Sequence, residues 1–266
     1  MIVECFGPPG AGKTTLALAL TERLQANGLN ALSRLSARPG EELHGGNGCH
    51  HSPSVFAAAA RRLLVPATEL VTAVIQSPAD RALRNTTSAL TSAWADGEFF
   101  RGLRMKQYLI RLANAWTAAA KSENIWVFDQ AYVQAIANIM QVRPRFSDAD
   151  ATAMLGTIPK SDLIIRVETP INDIRTRLTR RQRMIGRIGE LFEEYSGTVV
   201  EQAATAKRLD ALLSRSGRCM LTVTSRDDKA LGAGIILAEG RIRTMLGNRV
   251  WKKRNRDVWN EAWSVD

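Results

Sequence analysis

The sequence is poor in cysteine, with only three in 266 residues. Cys5, Cys49 and Cys219 are odd in number and far apart, so they give no disulfide framework and favour a reducing compartment. Cys49 stands beside His50 and His51, but no second ligand pair follows at a metal-like spacing, so a polar loop is favoured over a zinc site. Cys5 and Cys219 fall in apolar, strand-like runs, and we expect both to be small core residues.

Long hydrophobic runs are also missing. No uninterrupted apolar stretch reaches the ~18 residues that a membrane-spanning helix needs. The alanine-rich segments are interrupted by Arg61, Arg62 and Arg111. The N-terminus has no basic segment followed by a hydrophobic stretch and a cleavage site, and it leads directly into a glycine-rich loop. We therefore expect a cytoplasmic protein without a transmembrane segment.

Acidic residues are outnumbered by basic ones, 26 against 36, which gives a formal net charge of +10. Such a charge attracts nucleotides, phosphorylated metabolites, nucleic acid and anionic lipid alike, so it does not choose a partner by itself. Two dense basic blocks stand out, at residues 175–187 and 252–256.

Short apolar runs alternate with helical patterns along much of the chain. Apolar residues recur at helical spacing in 14–25, 131–140, 171–182, 188–213 and 229–245. Because short apolar strands separated by helices are typical of a parallel sheet covered on both faces, we predict one α/β domain over residues 1–266. The expected fold has a central parallel sheet of about five strands flanked by helices. The predicted strands are 2–6, 31–35, 125–129, 162–168 and 219–224.

Three further segments lie around this alternation. Residues 37–53 are polar and glycine-rich, and they predict a long loop that is functional or mobile. Residues 55–121 are rich in alanine and leucine, and they predict several helices in series that form a helical insertion. Residues 250–266 combine basic residues with three tryptophans. There a C-terminal helix that docks its tryptophans on the core is favoured over an amphipathic anchor or partner helix.

The strongest motif is Gly-Pro-Pro-Gly-Ala-Gly-Lys-Thr at residues 7–14, which matches G-x-x-x-x-G-K-[ST]. A strand precedes it and a helix follows it, as a phosphate-binding loop requires. A concave array of backbone N–H groups can hold polyphosphate, Lys13 can bridge the terminal phosphates, and the Thr14 hydroxyl can ligate Mg²⁺ at the helix N-terminus. The predicted nucleotide-binding residues are Gly7, Pro8, Pro9, Gly10, Ala11, Gly12, Lys13, Thr14 and Thr15.

Two further features predict phosphoryl-transfer chemistry. Asp129 ends the apolar run Ile-Trp-Val-Phe-Asp, and the carboxyl ends of parallel strands lie beside the phosphate loop. It is a candidate metal-associated carboxylate or catalytic base, while an N-cap for the next helix is the alternative. Six arginines between residues 175 and 187 predict an arginine lid over 175–195, with Arg177 and Arg181 as catalytic candidates. A solvated basic helix paired with Glu190, Glu193 and Glu194 is the alternative for any single arginine.

These motifs occur in an order that resembles the thymidylate kinase and deoxynucleoside kinase group of P-loop kinases. The phosphate loop, the strand that ends in Asp129, the stretch VETPINDIRTRLTRRQ, the Glu-rich stretch ELFEEY and a last strand follow one another over most of the chain. The resemblance implies the P-loop NTPase fold with a five-stranded parallel sheet, with ATP and Mg²⁺ as cofactors. It also implies an acceptor held between the sheet ends and the inserted helices, so residues 55–121 are expected on the acceptor side. Gln130 follows Asp129 where the group has arginine, which argues against a thymidylate-like acceptor. The stretch Arg38-Pro39-Gly40 is a shortened counterpart of a motif in thymidylate kinases.

We therefore expect an ATP-dependent phosphotransferase, with Lys13, Asp129, Arg177 and Arg181 in catalytic roles and Thr14 and Asp129 near Mg²⁺. The acceptor is expected to be a nucleoside, a nucleotide or another hydroxyl or phosphate compound. The preference for ATP over GTP and the formation of a homodimer are left open. A P-loop switch or nucleic-acid-associated ATPase is the alternative, although we find no nucleic-acid-binding module and no guanine-reading Asn-Lys-x-Asp stretch. A membrane-surface protein that uses residues 250–266 is a third reading.

Overall fold

A parallel sheet of five strands forms the centre of the protein in the computed structural model. The structure describes residues 1–36, 81–94, 99–143, 145–190 and 198–262, with the backbone alone for 99–104, 181–182, 184–190 and 249–262. The strand order is β2-β3-β1-β4-β5, and every pair is parallel. The strands are β1 (Ile2–Phe6), β2 (Ala31–Arg34), β3 (Ile125–Phe128), β4 (Leu163–Glu168) and β5 (Met220–Thr224).

Helices connect the strands and cover both faces of the sheet. The described helices are α1 (Lys13–Ala26), α2 (Arg81–Trp94), α3 (Phe99–Lys121), α4 (Tyr132–Val142), α5 (Asp148–Thr157), α6 (Ile171–Glu190), α7 (Val199–Arg215) and α8 (Asp228–Ala262). Val3 and Cys5 of β1 face one core with the buried residues of α1 and α8, while Ile2 and Phe6 face a second core with those of α2, α3, α4, α5 and α7. A strand that is buried on both faces needs apolar residues at successive positions, which explains the apolar runs in the sequence.

The structure confirms the predicted fold class, a P-loop NTPase α/β fold with a parallel sheet of five strands flanked by helices. All five predicted strands are present, with ends that differ by at most one residue. None of the helices that the structure describes has an apolar run long enough to span a bilayer.

Three helix predictions need correction. Helix α6 runs on to Glu190, and α7 begins only at Val199, so the predicted boundaries at 182 and 188 are wrong. The start of α7 is fixed by a capping box in which Thr198 and Glu201 satisfy each other's backbone N–H groups. Helix α5 was not predicted, although Ser147 and Asp150 form the same kind of box there. Helix α8 continues to Ala262, beyond the predicted end at 245.

Several predictions lie wholly or partly outside the described residues. These are the predicted loop at 37–53 with its Arg38-Pro39-Gly40 stretch and Cys49 cluster, the parts of the insertion at 55–80 and 95–98, the part of the lid at 191–195 and the docking of the C-terminal tryptophan side chains. The described part of the insertion is helical, in α2 and α3. The division of residues 1–266 into core, insertion, lid and C-terminal segment stays a prediction.

Candidate active site

The predicted phosphate loop joins the end of β1 to the start of α1. Gly10 and Gly12 adopt φ angles of 77° and 94°, in the left-handed region that favours glycine. A Cβ atom at Gly12 would stand 2.6 Å from the Ser225 side-chain oxygen, and one at Gly7 would stand 2.6 Å from the Val167 carbonyl oxygen. Glycine is therefore required here both by the curvature of the loop and by the close approach of β4 and of the segment after β5.

Lys13 is the first residue of α1, and its side chain turns back into the loop. Only 7% of Lys13 is exposed. Its ammonium group donates hydrogen bonds to the carbonyl oxygens of Gly7 at 2.8 Å and of Pro8 at 3.0 Å. A buried cation thus lies inside the curve of the loop, as the motif predicts for the group that contacts the terminal phosphates.

Asp129 and Thr14 meet at the carboxyl end of the sheet. Strand β3 lies beside β1, with Phe128 in register with Glu4, so the residue that follows β3 comes close to the start of α1. The Thr14 hydroxyl donates to an Asp129 carboxylate oxygen at 2.8 Å, and Asp129 is 1% exposed. The predicted pairing of a strand-end carboxylate with the phosphate loop is thus present in the structure, while its catalytic role stays a prediction.

The end of β2 supplies a third partner at this point. The Ser36 backbone N–H donates to the other carboxylate oxygen of Asp129 at 2.7 Å, and the Ser36 hydroxyl donates at 3.3 Å to the same oxygen that Thr14 bonds. Ser36 was not predicted, although the rule that placed Asp129 at a strand end also applies to residues after β2. Asp129 is therefore oriented from two sides, by Thr14 and by Ser36. The N-cap alternative for Asp129 is not observed, since Ala131 is the N-cap residue of α4.

Arg177 is the arginine of α6 that reaches the loop. Its guanidinium group donates to the Ser225 carbonyl oxygen at 2.6 Å, to that of Arg226 at 3.2 Å and to that of Gly10 at 3.4 Å. It thus joins the phosphate loop to the segment between β5 and α8. Arg175, Arg180 and Arg183 are exposed, and the side chains of Arg181 and Arg187 lie outside the described atoms. The catalytic roles of Arg177 and Arg181 stay predictions.

A cavity of about 380 Å³ opens beside the loop. Its volume lies in the range of small-molecule sites, of order 300–1,000 Å³. The lining combines loop residues with the Arg177 guanidinium and with two carboxylates from the start of α8. The lining residues are Gly10, Gly12, Lys13, Thr14, Thr15, Gln130, Arg177, Ser225, Asp227, Asp228 and Leu231.

Two residues that were not predicted form hydrogen bonds with the backbone of the phosphate loop. The Thr169 hydroxyl donates to the Ala11 carbonyl oxygen at 2.9 Å. The Gly7 backbone N–H donates to the side-chain oxygen of Gln134 at 3.1 Å. Thr169 stands in the Thr-Pro pair after β4, and Gln134 is a polar residue in the apolar helix α4. A polar residue in an apolar helix was the available signal for Gln134, but its partner cannot be read from the sequence.

The core next to the phosphate loop contains two buried ionisable groups, the Cys5 thiol and the Glu4 carboxyl. Burial in the sheet raises the pKa of the Cys5 thiol, which therefore stays protonated. Glu4 is completely buried, and burial also raises its pKa, although hydrogen bonds from Ser161 and Val133 oppose the shift. Cys5 thus fulfils the expectation of a small core residue, whereas Cys219 is half-buried, just before β5.

Solved structures similar to this chain include three of deoxyadenosine kinase from M. mycoides, each 13% identical in sequence and covered over 100% of its length. The structure with bound dATP has a TM-score of 0.46 and covers 91% of this chain. The structures with the products dCMP and a flexible dCDP and with bound dCTP have TM-scores of 0.44 and 0.42, and each covers 92%. No protein-family model and no curated protein matches the chain.

Proposed function

We propose that this protein is a phosphotransferase that moves the γ-phosphate of ATP, bound with Mg²⁺, to a small-molecule acceptor. The observation that carries the proposal is the meeting of Lys13, Thr14 and Asp129 at the carboxyl end of β1 and β3. A phosphate loop with a buried ammonium group supplies donor binding, and a carboxylate within hydrogen-bond distance of the loop supplies the acid–base or metal function.

In the donor site, the curved loop and the N-terminus of α1 present backbone N–H groups to the phosphates. The Lys13 ammonium donates to two loop carbonyl oxygens, which hold it inside the curve of the loop. Since phosphate oxygens are charged and form strong hydrogen bonds with ammonium groups, we expect Lys13 to contact the β- and γ-phosphates from this position. Arg177 lines the same cavity and adds a second cation, which can stabilise the charge that develops during transfer.

The residues at the loop also fit a magnesium ion. Thr14 offers a hydroxyl oxygen and Asp129 a carboxylate, and Mg²⁺ in such enzymes is held by one or two carboxylates together with substrate phosphates and water. When bound, the ion would neutralise phosphate charge. The Thr14 hydroxyl uses its proton in the hydrogen bond to Asp129, which leaves the oxygen lone pairs as possible ligands for a cation, and Thr14 lines the cavity.

The acceptor is a nucleoside, a nucleotide or another compound with a hydroxyl or phosphate group. Asp129 is the residue that would take the proton from an acceptor hydroxyl, because it is the one carboxylate hydrogen-bonded to a phosphate-loop side chain among the described residues.

A cytoplasmic location and a homodimer stay predictions.

The test measures ADP release from ATP and Mg²⁺ over a panel of nucleosides, deoxynucleosides, nucleoside monophosphates and sugars. The variant Lys13→Ala should lose about a hundredfold or more in rate, as expected when a preorganised group that stabilises transition-state charge is removed. Lys160→Ala is the matched control, since this exposed lysine lies before β4 and away from the loop. Equal activity of Lys13→Ala and wild type would refute the proposal.

A nucleotide-dependent switch or nucleic-acid-associated ATPase is the second candidate. It is favoured by the exposed Arg175, Arg180 and Arg183 of α6, which are available for phosphate contacts. Binding to nucleic acid through several phosphates would weaken steeply with added salt. Silence of the whole acceptor panel, combined with bound ATP and such a salt dependence, would decide for this candidate.

A further inference from the structure

The phosphate loop is tied to α4 through one buried side chain. Gln134 is 3% exposed, and its oxygen accepts the hydrogen bond from the Gly7 backbone N–H at 3.1 Å. Its nitrogen donates to the side-chain oxygen of Asn138 at 2.9 Å, one turn further along α4. Both ends of the amide are therefore fixed, and the side chain has one orientation toward the loop.

Gly7 is held at both of its peptide groups. Its N–H is bonded to Gln134, and its carbonyl oxygen accepts the hydrogen bond from the Lys13 ammonium at 2.8 Å. Its φ angle is 151°, and the Val167 carbonyl oxygen closes the remaining space. A change in the orientation of Gly7 would therefore move the carbonyl that positions the Lys13 ammonium.

A second tie connects α4 to β1. Ala131, the N-cap residue of α4, gives no side-chain cap, and a Glu4 carboxyl oxygen of β1 instead accepts the Val133 backbone N–H at 3.2 Å. Helix α4 begins three residues after Asp129. The N-terminal end of α4 therefore positions Gly7 through Gln134. It also positions Asp129, which lies three residues before the helix begins.

We propose that Gln134 is a positioning residue, which orients Gly7 so that the Lys13 ammonium and the Asp129 carboxylate face the same phosphate group. This inference rests on the proposed phosphotransferase function. Gln134 is not a catalytic residue, because it acts through the Gly7 peptide and touches no reacting atom. Small displacements of reacting groups cost large factors in rate, about a hundredfold for ~1 Å.

The test compares three variants under the same conditions. Gln134→Met removes the acceptor of the Gly7 N–H and keeps the length of the side chain. It should lower kcat about tenfold, with the KM for ATP within about threefold of wild type, since the loop still binds phosphate but holds its ammonium group less accurately. Asn138→Ala is the matched control, because it removes the other partner of the same amide and leaves the Gly7 bond in place. It should keep kcat near the wild-type value.

Gln134→Glu is the rescue variant. In its neutral form the carboxyl group still offers an acceptor to Gly7 and a donor to Asn138, whereas its ionised form adds a negative charge beside the phosphate loop. Its kcat relative to wild type should therefore rise as the pH is lowered from weakly alkaline to weakly acidic. A residue that only stabilises the fold would give no such pH profile.

Hydrogen exchange of the Gly7 amide gives a readout that does not depend on transfer. We expect Gly7 to exchange faster in Gln134→Met than in wild type and Asn138→Ala. The inference is overturned if Gln134→Met and Asn138→Ala have equal kcat, or if the Gly7 amide exchanges at the same rate in all three proteins. Failure of wild type to transfer phosphate to any acceptor refutes the proposed function instead, and it is seen before variants are compared. In that case, Gly7 exchange in the presence of ATP and Mg²⁺ still decides whether Gln134 positions the loop.

Discussion

Replacement of Asp129 by asparagine separates the charge of this residue from its role in holding the site together. In the protein, the two carboxylate oxygens accept three hydrogen bonds, from the Thr14 hydroxyl and from the backbone and hydroxyl of Ser36. Asparagine keeps one acceptor oxygen for the Ser36 backbone N–H. Its NH₂ group can donate to the Thr14 hydroxyl, which then reverses its direction. The shape of the site and most of its hydrogen bonds should therefore survive in Asp129→Asn.

The stability and the activity should respond by different amounts. In Asp129→Asn, one charge-assisted hydrogen bond to the partly exposed Thr14 or Ser36 is lost. This loss should reduce the free energy of unfolding by about 1 kcal/mol. Asp129→Ala leaves three donors without their acceptor and should cost about 2–3 kcal/mol. Removal of the charge eliminates general-base catalysis or metal binding, and either role is worth about 10²–10⁴ in rate. Since each factor of ten corresponds to about 1.4 kcal/mol, the barrier should rise by ~3–5 kcal/mol, well above the loss of stability.

The assay combines urea unfolding with steady-state ADP release for wild type, Asp129→Asn and Asp129→Ala. Both variants should be nearly inactive, although only Asp129→Ala should be clearly destabilised. If Asp129→Asn keeps kcat within about threefold of wild type, then Asp129 contributes no charge to the reaction, and it serves only to orient Thr14 and Ser36.

Two further predictions concern the core. In α8, a Cβ atom at Gly234 would stand 2.1 Å from a Val223 methyl carbon, whereas one at Gly232 would meet nothing within 4 Å. In urea unfolding, Gly234→Ala should therefore lower the free energy of unfolding by about 2 kcal/mol or more. Gly232→Ala should raise it by up to about 1 kcal/mol, and changes of the same sign in both variants would contradict this reasoning. Burial raises the pKa of Glu4, so its neutral form is favoured on folding and its contribution to stability falls as the pH rises above the ordinary glutamate value. The melting temperature of Glu4→Gln minus that of wild type should accordingly increase as the pH rises above the ordinary glutamate pKa. If this difference in melting temperature is constant with pH, the pKa of Glu4 is not raised in the folded protein.

The sequence predicts the parts of the site that follow from local pattern and sheet geometry. Residues 7–14 are recognised by a contiguous motif. Asp129 is placed near Thr14 by one general rule, that parallel strands end at the same edge of the sheet, and the 2.8 Å contact is the physical consequence. The five strands are found because a doubly covered sheet requires short apolar runs.

The remaining parts depend on tertiary contacts that have no local signature. The partners of Arg177 are backbone carbonyl oxygens of Gly10, Ser225 and Arg226. Since every residue has a backbone carbonyl, such partners cannot be identified from the sequence. For the same reason, spacing cannot single out Arg177 from the other arginines of α6. Three glycines, each unfavourable in a helix, fall between residues 232 and 240 and made the boundaries of α8 uncertain, and the predicted end at 245 was too early. The packing of Gly234 against Val223 shows that one of these glycines is needed for the approach of the helix to the sheet.

The same reasoning explains why the phosphate loop has glycine at both of its ends. Gly7 and Gly12 are separated by only four residues, yet each is closed off by a different neighbour, Val167 of β4 and Ser225 after β5. A side chain at either position would push the loop away from the strand ends that complete the nucleotide cavity. The loop is therefore held in shape from outside, by β4 and β5 on one side and by Gln134 on the other. Because all of these contacts are made by the protein's own residues, the curvature of the loop belongs to the fold.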